Sequence, residues 1–284
     1  MIGRVLLLCS CTLLIGGPSA MAAETGRPSY VYKAAGERQL KVDVLYPPDW
    51  KEADKRPGIV FFSGGAFKSG GTAQFRPQAE YFAKRGMVTV RAEYRDSTKD
   101  KVNVDTCLRD ALSAMRWVRK NAVLLGIDPD RIVSSGGSAG GYLASAVCTV
   151  EGFDDPQDDL SVSPKPNAMV LFNPVVDFPS SQQAMTILGG AKDLAERLSP
   201  LGHLKKGLPP TLLMLGSEDP FYGQVDEFLT KGKELGARVE REVYDGQPHA
   251  FFTPCPTPAH DAHQFPRDFL PPLIRGRPSE AVRP

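Results

Sequence analysis

The sequence is poor in the features that mark several large protein classes. It has five cysteines and four histidines and no C-x-x-C spacing. A structural zinc site relies on such pairs, so none is expected, and no other metal is. Neither sign of charge is in excess: 34 Lys and Arg face 33 Asp and Glu, a formal net charge of +1. That balance leaves no footprint for nucleic acid or for an anionic membrane surface. No apolar run reaches the roughly 20 residues of a membrane-spanning helix. There is no internal repeat. What remains is 284 residues, 42% of them hydrophobic, which is enough for one large core.

The N-terminus reads as a leader. Arg4 supplies positive charge, residues 5–15 are mostly apolar, and Ala20-Met21-Ala22 puts small residues at the −3 and −1 positions of a cleavage site. The expectation is a signal peptide over 1–22 and a single domain over 23–284, periplasmic or secreted, with no stable membrane insertion after cleavage. Leu8-Cys9-Ser10-Cys11 leaves lipoprotein anchoring as the alternative, although the apolar stretch before Cys11 is short for it. The mature chain would keep Cys107, Cys148 and Cys255. An oxidising compartment allows one disulfide among them, and the residues alone choose no pair.

The centre of the chain is residues 131–148. Arg131-Ile132-Val133-Ser134-Ser135 reads as a short strand, Gly136-Gly137-Ser138-Ala139-Gly140-Gly141 as a tight turn of small residues, and 142–148 as a buried helix. Strand, Gly-x-Ser-x-Gly and helix together form a nucleophile elbow. The turn forces Ser138 into a strained conformation, and only small neighbours avoid a clash there. A dinucleotide fingerprint is excluded because it wants Gly where Ser138 stands, and no cofactor is expected.

A second chemical element lies upstream. The apolar run Gly58-Ile59-Val60-Phe61-Phe62 reads as a strand buried on both faces, and it leads into Ser63-Gly64-Gly65-Ala66-Phe67. A Gly-rich loop there can turn backbone N–H groups toward a reacting carbonyl. The candidate oxyanion donors are Gly65 and Ala66, with the N–H of Ala139.

The rest alternates. Two opening strands lie near 30–32 and 40–46. A helix follows over 73–84, a strand over 87–92 and a helix over 102–125, closed by Gly126 with Asp128-Pro129 as a stop. Beyond the elbow come an acidic loop (151–165), a strand (168–172), an insert (174–210) with one helix near 183–198, a strand (211–215), a helix (221–235) and a last strand (238–244). This pattern predicts an α/β fold, a mostly parallel central sheet with helices on both faces. Residues 254–284 form a Pro-rich tail.

A serine nucleophile needs a base, and the base an orienting carboxylate. His249 follows the last strand and is the candidate base. Asp219 follows the preceding strand and is the first choice of carboxylate, with Asp177 and Glu218 as alternatives. Asp219 is also well placed merely to cap the helix behind it. His203 reads as a loop or packing residue. His260 and His263 lack a third ligand nearby.

These motifs resemble a known group. Ser63 to Phe67, Tyr94-Arg95, Gly126-Ile127-Asp128-Pro129-Asp130-Arg131-Ile132, the elbow, Asp219-Pro220 and His249-Ala250-Phe251 are similar to those of α/β-hydrolases of the bacterial feruloyl and acetyl xylan esterase-like type, and of hormone-sensitive-lipase-like carboxylesterases. The resemblance runs from about residue 40 to 252. It implies the α/β-hydrolase fold and an exported serine esterase acting on small-molecule or saccharide esters. Ser63 is a departure, because these families usually carry His there. A prolyl-oligopeptidase-type peptidase and a non-catalytic binding protein on the same scaffold are the competing expectations.

Overall fold

The computed structural model describes residues 21–22 and 28–253. The expected leader, apart from Met21 and Ala22, and the Pro-rich tail, with Cys255, His260 and His263, lie outside the described residues. Strands β1 (Met21–Ala22), β2 (Pro28–Ala35) and β3 (Arg38–Leu45) open the sheet. Then follow β4 (Arg56–Phe62), α1 (Arg76–Ala83), β5 (Val88–Ala92), α2 (Val104–Lys120), β6 (Ile127–Gly137) and α3 (Ala139–Thr149). The second half contains β7 (Ala168–Phe172), α4 (Gln182–Ile187), α5 (Lys192–Leu198), β8 (Thr211–Gly216), α6 (Tyr222–Glu234) and β9 (Val239–Tyr244).

The strands form one sheet in the order β1-β2-β3-β5-β4-β6-β7-β8-β9. The first three pair antiparallel, β3 joins β5 antiparallel, and every pairing from β5 to β9 is parallel. Alternation along β4 divides the core. Val60 and Phe62 face one cluster, built with α2, α3, α5 and α6, while Ile59 and Phe61 face a second, built with α1 and Phe252. Both faces are therefore covered, as continuous apolar strands require. Helix α2 buries Val104, Leu108, Ala111, Leu112, Met115 and Val118, the stripe its spacing predicts.

Three details depart from the sequence expectation. β6 begins at Ile127, ahead of Asp128-Pro129, because Ile127 pairs with Arg56 across an irregularity in β4. The single helix expected in the insert is two, α4 and α5, separated where Gly189 and Gly190 take φ values of 60° and 78°. Left-handed glycines end a helix rather than continue it. The acidic loop is not simply solvated: Asp155 pairs with Lys33 at 2.7 Å, and Arg116 holds Asp154 and Asp158. Cys107 and Cys148 are both free and buried.

Candidate functional site

The site forms where parallel strands end. Ser138 follows β6, Asp219 follows β8 and His249 follows β9, so all three lie at the carboxyl edge of the sheet, where open parallel sheets place their ligands.

Ser138 is the single residue between β6 and α3, with φ 53° and ψ −118°. Its N–H donates to the Phe172 carbonyl at 3.0 Å, and its own carbonyl accepts from Tyr142 N at 2.8 Å, which starts the helix. Small neighbours are obligatory. A Cβ on Gly140 would lie 2.0 Å from the Phe62 carbonyl oxygen, and one on Gly137 would lie 2.1 Å from the Phe252 ring. The close crossing of α3 over β4 therefore requires Gly140, and the packing of Phe252 against β6 requires Gly137.

The hydroxyl of Ser138 is 2.8 Å from His249 Nε2, and His249 Nδ1 is 2.8 Å from Asp219 Oδ2. The Asp219 side chain is fully buried, and its other oxygen accepts from Phe221 N at 2.8 Å. Asp219 thus fixes the loop before α6 and faces the imidazole at the same time. The Phe221 ring meets His249 edge-on at 5.1 Å. Glu218 N donates to the Gln247 carbonyl at 3.0 Å, which ties the loops after β8 and β9 together. The alternative carboxylates are not part of this chain: Glu218 is exposed, and the backbone of Asp177 is engaged by the Gln224 side chain. His203 contacts the Glu196 carbonyl at 3.3 Å, away from Ser138, as a packing residue would.

A cavity of about 340 Å³ opens beside Ser138 and His249. Gly65, Ala66 and Ala139 all line it. Gly65 and Ala66 have φ values of 115° and 51°, and their N–H groups have no partner among the described residues. The bracing that the missing His would supply comes from elsewhere. Ser63 Oγ donates to the Ser69 carbonyl at 3.0 Å, Gly64 N donates to Gln74 Oε1 at 2.6 Å, and the buried Tyr94 hydroxyl donates to the Ser63 carbonyl at 2.8 Å. Burial pushes the Tyr94 phenol well above its ordinary value, so it stays a neutral donor.

Two residues near this site were not singled out in the sequence. Gln74 acts on the 63–71 loop from ten positions away, and Asn173 places Nδ2 at 3.2 Å from both ring nitrogens of His249. The only local signal for Asn173 is that Asn tolerates positive φ at a strand end; its φ is 33°. Among the described residues no group of three or more His, Cys, Asp or Glu could hold a metal ion.

A strand-turn-helix serine, a histidine and a buried carboxylate on a mostly parallel sheet define an α/β-hydrolase with serine hydrolase machinery. A profile of the BD-FAE family matches residues 42–226, and the chain belongs to that family. It is a carboxylic ester hydrolase. The chain is similar to the esterase LipU of Mycobacterium tuberculosis, 26% identical over 251 residues that span 81% of this chain and 80% of the relative. Among solved structures it is similar to Thermogutta terrifontis esterase 2 phosphoramylated by tabun, with 40% identity and a TM-score of 0.76 over 82% of this chain and 88% of that one. The propionate-bound form of that esterase gives 41% identity and a TM-score of 0.75, over 81% and 86%.

Proposed function

We propose that the protein is an exported esterase that cleaves its substrate through an acyl-enzyme, with Ser138 as nucleophile, His249 as base and Asp219 as the carboxylate that orients it. The observation that carries this is the unbroken relay of two 2.8 Å contacts, opening on the cavity at one end and buried at the other. His249 takes the proton of Ser138 as Oγ attacks the ester carbonyl. The oxyanion is met by the N–H groups of Gly65, Ala66 and Ala139. His249 then gives its proton to the leaving alcohol, and water activated by the same base releases the acid.

The substrate we infer is a saccharide-linked acyl ester, acetyl or feruloyl. The cavity of about 340 Å³ suits an acyl group of limited size, and the related Thermogutta terrifontis esterase has been solved with propionate and with butyrate bound. Export is supported by Arg4, the apolar run 5–15 and Ala20-Met21-Ala22; no helix among the described residues is long and apolar enough to cross a membrane.

The test is hydrolysis of p-nitrophenyl esters, from acetate to long chain, by wild type and Ser138→Ala side by side, followed by acetylated and feruloylated saccharides. Activity confined to wild type and falling with chain length supports the assignment. A Ser138→Ala enzyme as fast as wild type removes it.

A further inference from the structure

The cavity beside Ser138 has two chemically different walls. One is mostly apolar and comes from Phe67 and the insert: Val175, Phe178, Ala184 and Ile187, with Gln183 as its polar member and Phe67 and Phe178 stacked at 6.4 Å. The other carries Gln74, Phe252 and Thr253. This second wall is a single packed unit. Phe75 stacks on Phe252 at 5.2 Å, and Gln78 Nε2 donates to the Phe252 carbonyl at 3.0 Å. It continues directly from His249 through one tight turn, closed by Thr253 N on the Ala250 carbonyl at 3.0 Å.

Gln74 is the member of this wall whose free end is defined. Its Oε1 accepts the Gly64 N–H at 2.6 Å, which identifies the oxygen end of the carboxamide. Nε2 therefore keeps both hydrogens, and it has no partner among the described residues. Gln74 is half-buried. A donor fixed in this way at a cavity wall is satisfied by water or by substrate.

We propose that Gln74 is a specificity-determining residue, donating from Nε2 to an oxygen on the alcohol portion of the ester, so that esters of polyols and saccharides are favoured over those of plain alkanols. The proposal rests on the reading that Ser138 attacks and His249 hands its proton to the leaving alcohol. That reading sends the alcohol toward the His249 side, where the wall of Gln74 lies, and leaves the apolar wall to the acyl group. A site built to hydrogen-bond a substrate oxygen rejects the analogue that lacks it, because its own donor is then left unpaired.

The test uses 1-acetylglycerol and n-propyl acetate, which share the acyl group and the carbon skeleton of the alcohol and differ only in hydroxyls. kcat/KM is measured for both with wild type, Gln74→Met and Gln74→Glu. Wild type is expected to prefer acetylglycerol by about tenfold, the worth of one hydrogen bond, and both variants to lose most of that preference. In Gln74→Glu, which keeps an acceptor for the Gly64 N–H, the loss should fall mainly on acetylglycerol. No preference in wild type, or equal losses on both substrates in both variants, would overturn the proposal and leave Gln74 as a loop brace only. Ser138→Ala is run alongside. If it hydrolyses propyl acetate like wild type, the nucleophile assignment fails; if it is inactive while the ratio ignores Gln74, only the specificity proposal fails.

Discussion

Asn173 Nδ2 stands 3.2 Å from both ring nitrogens of His249. Those nitrogens already face Asp219 and Ser138 at 2.8 Å. The carboxamide therefore rests against the ring and takes over neither contact. Asn173 is fully buried, its φ is 33°, and its Oδ1 has no hydrogen-bond partner among the described residues. Strain and an unsatisfied oxygen at one buried residue point to a positional role.

Asn173→Ala should lower kcat about tenfold with KM little changed, because a looser imidazole spends less time in line with Ser138. The unfolding free energy from urea denaturation should change by less than about 1 kcal/mol, since the lost contact is offset by removal of an unsatisfied buried oxygen. Steady-state kinetics and urea denaturation measure both. A kcat within twofold of wild type would mean that the ring needs no such support.

Ser138 holds a conformation that glycine tolerates and other residues resist, at φ 53° and ψ −118°. Both Ser138→Gly and Ser138→Ala should be inactive. The glycine variant should be the more stable of the two by about 1 kcal/mol, as the strained backbone relaxes. Chemical denaturation of the pair decides it, and equal midpoints would show that the elbow stores no strain.

Gly140→Ala should destabilise the protein by more than about 3 kcal/mol, or prevent its folding. The new Cβ would sit 2.0 Å from the Phe62 carbonyl oxygen and 2.6 Å from that of Ser63, both backbone atoms that cannot step aside. Gly202→Ala, where nothing lies within 4 Å, is the matched control and should stay within about 0.5 kcal/mol of wild type. Comparable melting temperatures for the two variants would contradict the crossing of α3 over β4.

The two described thiols should be silent at neutral pH. Burial pushes Cys148 from 9.0 up to about 11, and pushes Cys107 higher. Peptide mass spectrometry after brief alkylation at pH 8 should find both unmodified in the folded protein and both labelled in denaturant. The folded chain keeps protons that the unfolded chain releases. The Cys148 contribution to stability is thus whole below pH 9.0 and declines as pH rises through about 11. Cys148→Ala should flatten that alkaline decline in melting temperature; an unchanged decline would place its cause elsewhere.

How much of this was readable in the sequence depends on distance along the chain. The elbow was legible because its requirement for small residues is local. The Ser138, Asp219 and His249 assignments followed from strand ends, and the structure brings those residues together. Element boundaries were harder. The start of β6 depends on the pairing of Ile127 with Arg56, and no local rule sees that. Gly189-Gly190 is visible in the sequence, but helical periodicity alone does not mark it as the break between α4 and α5. Gln74, Tyr94 and Asn173 show the real limit. Each acts on a partner outside its own element, from ten residues away for Gln74 to 76 for Asn173, and a single sequence carries no mark of Gln74 meeting Gly64 or of Asn173 meeting His249.

The order of the site residues along the chain has a consequence for biosynthesis. His249 follows β9, which among the described residues occupies an edge of the sheet and pairs only with β8, while Ser138 lies 111 residues earlier, between two central elements. A growing chain therefore displays the serine long before its base has been made. On the proposed assignment, the hydroxyl lacks its base until the edge strand docks. If that assignment holds, ester hydrolysis reports that the C-terminal part of the sheet has closed, and a chain truncated before residue 249 should be inert toward esters.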